Sequence, residues 1–201
     1  VLASCQKEKK YLTEYVNPFI GTGGHGHTYP GASAPFGMMQ LSPDSRLEGW
    51  DGCGGYHYSD SILYGFSHTH LSGTGVSDYG DVLLMPNTGK VLLSNGANGD
   101  AGYSSKFSHK NETAKAGFYQ VFLEDYDVNV ELTTSQRVGF HKYTFTKDDI
   151  AQVILDLEHR DKLLDHKIEI LDSNSLQGIR YSDNWARKQK VHFYIEFSKY
   201  F

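Results

Sequence analysis

The sequence predicts an all-β protein built as an antiparallel β-sandwich. From Gly117 onward, apolar and polar residues alternate with a period of two, which places one face of each strand on a core and the other toward water. Short polar turns separate these segments, and no window shows the 3.6-residue apolar spacing of a helix. Short connections of this kind favour antiparallel pairing in two packed sheets. The predicted strands are 118–124, 127–135, 138–146, 152–158, 165–171, 175–181 and 191–197.

Three of these segments show the alternation most clearly. In 191–197 every odd-numbered residue, from Val191 to Phe197, is apolar. The segment 127–132 alternates in the same way, and 152–158 carries apolar residues at its odd positions. A chain of 201 residues is long enough for one domain with its own hydrophobic core. We therefore expect a single β-sandwich domain over residues 11–201.

The charge balance argues against one class of function. The chain has 19 Lys and Arg residues against 24 Asp and Glu residues, for a net charge of -5, whereas a dedicated nucleic-acid binder normally shows a basic face. No apolar run approaches the roughly 20 residues that a membrane-spanning helix needs. The composition thus predicts no nucleic-acid partner, and a protein that is soluble or tethered to a membrane from one end.

The first ten residues form an element of their own. Leu2-Ala3-Ser4-Cys5 resembles a bacterial lipobox, whose cysteine is lipidated after signal cleavage, and a polar run follows it. We expect a processing site and tether over 1–10, lipidation at Cys5, and a location in the periplasm or at the cell surface, anchored to the outer membrane. A chance match in a frayed terminus and a Cys5–Cys53 disulfide stay open as alternatives. Residues 197–201 still have the pattern of a strand, so we expect the chain to be part of a longer protein.

Residues 17–86 differ in composition from the rest of the chain. They hold 14 of the 21 glycines and five of the ten histidines, but only seven charged residues in 70, against 36 in the other 131. Solvated sheet surface is normally rich in Lys and Glu, so a charge-poor stretch of this kind indicates a surface that faces a ligand or a partner. The alternative is that the stretch forms the inner sheet of the sandwich, although glycines fill a core poorly.

Glycines at 21–26 match the G-x-G-x-x-G dinucleotide fingerprint in letters only. The residues that follow, 27–31, read His-Thr-Tyr-Pro-Gly and cannot open the helix whose N-terminus would bind the phosphates. We therefore exclude nucleotide binding. The glycines are better explained as residues that let a loop adopt positive φ and approach another surface closely.

Two H-x-H pairs, His25 with His27 and His68 with His70, raise the question of a metal site. Residues two apart on an extended strand point to the same face, so each pair has the spacing to bind zinc with a third ligand. Histidines that make loop hydrogen bonds explain the pairs better. We predict no metal site in this chain and keep a zinc hydrolase as the alternative.

The segment 49–58 places Trp50 and Asp51 among glycines. Few neighbouring side chains are available to bury the indole locally. An indole face suits the apolar C–H face of a sugar ring, and an adjacent carboxylate suits its hydroxyl groups. A second interpretation is that Trp50 anchors a core or a domain interface.

Seven blocks between residues 16 and 81, taken together and in order, resemble one protein family. The blocks are VNPFIGT (16–22), GHGHTYPGA (24–32), PFGMMQLSPD (35–44), GWD (49–51), GYHY (55–58), GFSHTHLSGTG (65–75) and YGD (79–81). The family is glycoside hydrolase family 92, the bacterial α-mannosidases. The likeness is strong to about residue 86, and beyond that only the strand pattern agrees.

The resemblance implies an architecture and a chemistry. It implies a galactose-mutarotase-like supersandwich, followed in the whole protein by an (α/α)₆ barrel, in a calcium-dependent exo-α-mannosidase that acts by inversion on mannose-containing glycans. The resemblance places the general acid, the general base and the main calcium ligands in the barrel, outside this sequence. We therefore assign no catalytic residue here and expect the chain to be inactive alone. A stand-alone carbohydrate-binding module is the alternative.

The resemblance also implies which residues meet the sugar. The sandwich would form one wall of the substrate cleft against its own C-terminal barrel. Trp50 would stack on the mannoside, Asp51, Cys53 and the loop carrying His25 and His27 would approach the cleft, and His68 and His70 would support it.

Overall fold

The computed structural model describes residues 11–147 and 150–201. Cys5 and the tether predicted at 1–10 lie outside this range. Two short 3₁₀-helices, Leu12–Tyr15 and His109–Asn111, are the helices of the described residues, and neither is long and apolar enough to cross a membrane. The strands are β1 (Ala32–Ser33), β2 (Gln40–Asp44), β3 (Ile62–Leu63), β4 (Gly65–Ser67), β5 (Leu83–Thr88), β6 (Ser105–Lys106), β7 (Glu112–Lys115), β8 (Phe118–Leu123), β9 (Val128–Thr134), β10 (Gly139–Phe145), β11 (Ala151–Asp156), β12 (Lys162–Ile170), β13 (Ser175–Asp183) and β14 (Gln189–Glu196).

Two antiparallel sheets form the sandwich. The first has the order β1-β2-β4-β5-β11 and the second the order β10-β9-β8-β7. Strands β7 to β10 follow one another along the chain and in space, as expected for segments joined by tight turns. The all-β antiparallel fold predicted from the sequence is therefore confirmed.

The hydrophobic core lies between these two sheets. Tyr119, Val121 and Leu123 alternate along β8 and are fully buried, and they join one cluster with Leu41 of β2 and Met85 of β5. The intervening residues of β8 lie on the outer, solvent face of the second sheet. The period-two pattern of the sequence thus sets which face of β8 meets the core.

A third sheet, of order β12-β13-β14, is attached to the sandwich. Its joint to the first sheet is polar: Arg180 of β13 is fully buried, and its Nη1 atom lies 2.5 Å from Asp81 Oδ1. The guanidinium also donates to the carbonyl oxygens of Leu157 and His159, at 2.8 and 2.9 Å. A small two-stranded sheet pairs β3 with β6.

The seven strands predicted from alternation correspond to β8 to β14. The largest difference is β12, which begins at Lys162 rather than at 165. The alternation does not reveal β2, β4 and β5, because nearly all of their residues are buried on both faces and such strands read as continuous rather than alternating. Part of the charge-poor stretch 17–86 therefore forms buried strands of the sandwich, which was the alternative interpretation of its composition. The loops of the same stretch lie at the surface.

Candidate functional site

Three loops of the charge-poor stretch meet at one rim of the sandwich. Backbone hydrogen bonds join them: Gly52 N donates to Gly26 O at 3.2 Å, and Gly73 N donates to His27 O at 2.8 Å. These bonds tie the loops 21–28, 46–57 and 71–79 together. We call the surface formed by His25, His27, Trp50, Asp51 and Gly75 the Trp50 face.

The indole of Trp50 is the largest exposed group on this face, with 63% of its surface accessible. The ring lies against the backbone of Gly75, where an added Cβ would come within 2.6 Å of Trp50 Cη2, and Gly75 adopts a positive φ of +72°. His27 meets the indole edge-on, with ring centroids 5.0 Å apart at 82°. Glycine is thus required under the indole, and the ring is held in place while much of it stays open to solvent.

Asp51 is oriented by His25 beside the indole. His25 Nδ1 donates to Asp51 Oδ1 at 2.9 Å, and this hydrogen bond lowers the pKa of Asp51 below its ordinary value. The backbone carbonyl of Asp51 accepts from Arg46 Nη1 at 3.3 Å, and Arg46 is itself paired with Asp60. The carboxylate is therefore ionised at neutral pH and can accept hydrogen bonds from a ligand's hydroxyl groups.

His57 fixes the glycine-rich loop from beneath. Its Nε2 atom donates to Gly24 O at 2.9 Å, and its Nδ1 atom accepts from Ser59 N at 3.2 Å. Gly24 has a positive φ of +60°. The loop that carries His25 and His27 is therefore held by a buried side chain, and its glycines serve the backbone conformation expected from the sequence.

A layer of buried polar groups lies under these loops, centred on Asp44 at the end of β2. Asp44 Oδ2 accepts from Ser67 N at 3.1 Å and from Ser67 Oγ at 2.5 Å. Asp44 Oδ1 lies 3.4 Å from His70 Nε2, 3.3 Å from His159 Nε2 and 3.8 Å from Arg160 Nη1. Burial is the largest influence on the pKa of Asp44 and would raise it, but His70 and His159 outweigh burial and hold the pKa below its usual range.

Arg160 links this buried layer to the loops of the Trp50 face. Its Nη2 atom donates to Cys53 O at 2.5 Å and to Ser77 Oγ at 2.6 Å, so one guanidinium crosslinks the loops 46–57 and 71–79. Gly55 leaves the space for it, because a Cβ there would lie 2.7 Å from Arg160 Nη1 and 2.4 Å from Asp44 Oδ1. Any side chain at position 55 would collide with the buried layer, so this position requires glycine.

A pair of buried carboxyl groups, Asp78 and Asp161, holds the end of the loop 71–79. The backbone N–H of Tyr79 lies 2.9 Å from an oxygen of each carboxyl, and Asn184 Nδ2 donates to Asp161 Oδ1 at 3.2 Å. Burial, together with the hydrogen bond to Asp78, raises the pKa of Asp161 to about 7. Asp161 is therefore protonated below about that pH, as expected for a buried carboxyl group in contact with a second one.

His68 joins the two sheets through a chain of neutral hydrogen bonds. His68 Nδ1 donates to Val82 O at 2.5 Å, His141 Nε2 donates to His68 Nε2 at 2.9 Å, and the Tyr143 hydroxyl donates to His141 Nδ1 at 2.8 Å. Burial lowers the pKa of His68 to about 4 and holds the pKa of His141 well below its ordinary value. Both rings are therefore neutral, and every donor in this series of hydrogen bonds faces an acceptor.

The structure separates the residues predicted from the sequence into two groups. His25, Trp50 and Asp51 lie on the surface, with His27 half-buried beside them. Cys53 is fully buried as a free thiol, and His70 is 1% exposed. The side chain of Cys53 therefore faces inward and only its carbonyl takes part, through Arg160, which corrects the expectation that Cys53 itself approaches the cleft.

Neither H-x-H pair is arranged as a bidentate metal ligand, because the two histidines of each pair make contacts with different groups. Across 11–147 and 150–201, no group of three or more His, Cys, Asp or Glu side chains is arranged to hold a metal ion. Sequence reasoning missed His159, Arg160 and Arg180, which lie in the region where the strand pattern was the only signal. Their side-chain and backbone partners within the stretch 17–86 lie more than 75 residues away in the chain, so no local motif could identify these contacts.

The fold and this site place the chain among the β-sandwich domains of the glycosyl hydrolases. A family model described as the glycosyl hydrolase family 92 N-terminal domain matches residues 15–201. The chain belongs to that family, as its N-terminal domain, and the resemblance read from the sequence is confirmed.

Solved and curated relatives agree with this assignment. A family GH92 α-mannosidase from Bacteroides thetaiotaomicron, solved in complex with mannoimidazole, is 39% identical with a TM-score of 0.91, over 95% of this chain and 26% of that one. A GH92 inverting mannosidase from the same species is 26% identical with a TM-score of 0.71, over 88% and 24%. An uncharacterized secreted glycosidase of Arthroderma benhamiae is 28% identical over 144 residues, which are 67% of this chain and 17% of that protein. The chain thus spans about a quarter or less of the length of these relatives.

Proposed function

We propose that this chain is the sugar-cleft domain of an inverting, calcium-dependent exo-α-mannosidase that removes mannose from glycans. The observation that carries the proposal is the Trp50 face, an indole 63% exposed beside an ionised carboxylate. Support also comes from the solved relatives, one of which is named an α-mannosidase in complex with mannoimidazole.

The Trp50 face is suited to hold one sugar residue. The apolar C–H face of a pyranose would pack on the indole, and Asp51 would accept hydrogen bonds from its hydroxyl groups. His25 keeps the carboxylate oriented through the 2.9 Å contact. The buried layer around Asp44 and Arg160 would keep the loops in one arrangement, so little conformational entropy is lost on binding.

The chemical step is assigned to the part of the protein that follows this chain. Inversion requires an acid and a base roughly 6.5–9.5 Å apart across the scissile bond, and we assign neither to this chain. In this proposal calcium is bound mainly by the C-terminal (α/α)₆ barrel, which we propose as the domain partner. The isolated chain would accordingly be inactive.

We also propose a location outside the cytoplasm. A relative of this chain is named a secreted glycosidase, and Leu2-Ala3-Ser4-Cys5 has the pattern of a lipidated N-terminus. Anchoring to the outer membrane through Cys5 is the specific form of this proposal. Mass spectrometry of the native protein would show a diacylglyceryl mass on Cys5, and an unmodified cysteine would refute the anchor.

The test of the sugar-cleft proposal uses the full-length protein and two tryptophan variants. Trp50→Ala should lower kcat/KM for an α-mannoside at least tenfold, because the stacking surface is lost. Trp185→Ala is the matched control, since Trp185 is equally exposed at 62% but lies in the turn between β13 and β14. Equal kinetics for the two variants would refute a role of the Trp50 face in the cleft.

A stand-alone carbohydrate-binding module is the second candidate, favoured by the exposure of Trp50 in the chain by itself. It requires that residues 11–201 alone bind methyl α-mannoside and lose this binding in Trp50→Ala. Titration calorimetry separates the two: the cleft proposal expects weak binding by the chain alone, and hydrolysis only with the C-terminal part present.

A further inference from the structure

The outer face of the second sheet carries a groove that is separate from the Trp50 face. The groove has a volume of about 420 Å³, within the roughly 300–1,000 Å³ typical of small-molecule sites. No residue of the groove belongs to the loops 21–28, 46–57 or 71–79. It is lined by Lys110, Asn111, Thr113, Gln120, Phe122 and Asn129.

Strand register brings the lining residues into two adjacent rows. Thr113 lies opposite Gln120, and Phe122 lies opposite Asn129. Directly opposed residues on one face of a sheet are about 5 Å apart at their Cβ atoms. The core-facing neighbours on β8 and β9 are fully buried, so the rows point away from the core and into solvent.

The amide groups in the groove form a pair with unused capacity. Gln120 Nε2 donates to Asn129 Oδ1 at 3.0 Å. Within the described part of the chain, Gln120 Oε1 and Asn129 Nδ2 take part in no further hydrogen bond. An acceptor and a donor therefore lie side by side, which is the pattern that matches two neighbouring hydroxyl groups, each able to donate and to accept.

The remaining chemistry of the groove restricts the ligand class. The half-buried ring of Phe122 offers an apolar surface beside the amide pair. Lys110 is the only charged residue among those that line the groove. The neighbouring carboxylate of Glu131, opposite Gln120, is paired with Lys142 at 2.6 Å. A cationic ligand therefore has no free partner, and a phosphate would have one cation alone. Neutral, hydroxyl-rich molecules with an apolar ring face combine the features that the groove can satisfy.

We propose that this groove is a second glycan-binding site, which holds a neutral oligosaccharide through residues outside the Trp50 face. Phe122 packs against a sugar ring, and the Gln120–Asn129 pair binds two of its hydroxyl groups. Only the choice of mannan as the first probe rests on the proposed function.

The test compares binding and hydrolysis in the full-length protein. Mobility in native gels containing yeast α-mannan, or dextran as a second neutral polysaccharide, measures binding, and hydrolysis of a small soluble α-mannoside measures the cleft. Phe122→Ala and Gln120→Ala should weaken retention by the polysaccharide at least fivefold and leave hydrolysis unchanged. Lys115→Ala is the matched control, because Lys115 is exposed on β7 outside the groove, and it should change neither.

The outcomes separate this inference from the proposed function. Retention by neither polysaccharide, or retention that is unaffected in Phe122→Ala and Gln120→Ala, overturns the groove. Retention that depends on Phe122 in a protein unable to hydrolyse α-mannosides supports the groove and refutes the mannosidase proposal. If Phe122→Ala lowers the melting temperature, Gln120→Ala decides, since it removes a half-buried amide on the outer face and no part of the core.

Discussion

Replacing Gly75 with alanine tests whether the position of Trp50 determines sugar binding. An alanine Cβ would lie 2.6 Å from Trp50 Cη2 and 2.7 Å from Cζ3, whereas carbon atoms in contact prefer about 3.5–4.0 Å. The indole must therefore move by about 1 Å, a displacement that can cost up to about a hundredfold in rate when a group must be positioned for catalysis. We expect kcat/KM of the full-length protein for α-mannosides to fall at least tenfold.

Gly73→Ala provides a matched control for this variant. Gly73 has a φ of +75°, close to the +72° of Gly75, but no atom lies within 4 Å of its added Cβ. Both variants should lose about 1 kcal/mol of unfolding free energy from backbone strain, measured by urea denaturation. Only Gly75→Ala should also change tryptophan fluorescence and lower kcat/KM. Indistinguishable kinetics for Gly73→Ala and Gly75→Ala would refute the argument that the indole position matters.

Three further predictions concern the buried polar groups. The pKa of His68 in the folded protein is lowered to about 4. The wild type therefore loses stability as pH falls from about 6.5 to about 4, because His68 takes up a proton more readily in the unfolded chain. His68→Gln lacks this loss, so its free energy of unfolding should rise by up to about 3 kcal/mol relative to the wild type over that fall. The pKa of Asp161 is raised to about 7. The wild type therefore loses stability as pH rises from about 4 to about 7, because Asp161 loses its proton more readily in the unfolded chain. Asp161→Asn lacks this loss, so its free energy of unfolding should rise by up to about 4 kcal/mol relative to the wild type over that rise. Urea denaturation across pH measures both, and a pH-independent difference from the wild type would contradict either assignment. Arg180→Met leaves Asp81 charged and buried and should cost about 3–5 kcal/mol. The double variant with Asp81→Asn should recover part of this loss, and a double variant as unstable as the single one would show that the ion pair is not the cause.

The sequence predicts the outer strands of this fold better than the inner ones. Alternation identifies β8, β9, β10 and β14 because more buried and less buried residues alternate along each of them, which residue types record directly. Strands such as β2 and β5 lie in the middle of the first sheet and are buried almost throughout. Their sequences carry proline and polar residues among the apolar ones, so no periodic signal remains.

The candidate site is predictable to a similar extent. Trp50 and Asp51 are adjacent in sequence, and their exposure follows from the glycines around them. By contrast, Arg160 reaches Cys53 across 107 residues, and Arg180 reaches Asp81 across 99 residues. Such pairs depend on how the third sheet joins the first, and a single sequence contains no local record of that joint.

The scarcity of charge in residues 17–86 has two physical causes rather than one. Part of the stretch is buried as strands, and its few carboxylates, Asp44 and Asp81 among them, are paired inside the protein because an unpaired buried charge would be costly. The remaining part forms loops whose close approach at Gly55 and Gly75 leaves no room for longer side chains. The paired charges therefore fix the loops from below, and the glycines let the indole lie flat on the backbone above them. A surface that is both charge-poor and rigid would lose little solvation and little entropy if a neutral sugar covered it, so both causes favour the binding role that we propose for the Trp50 face.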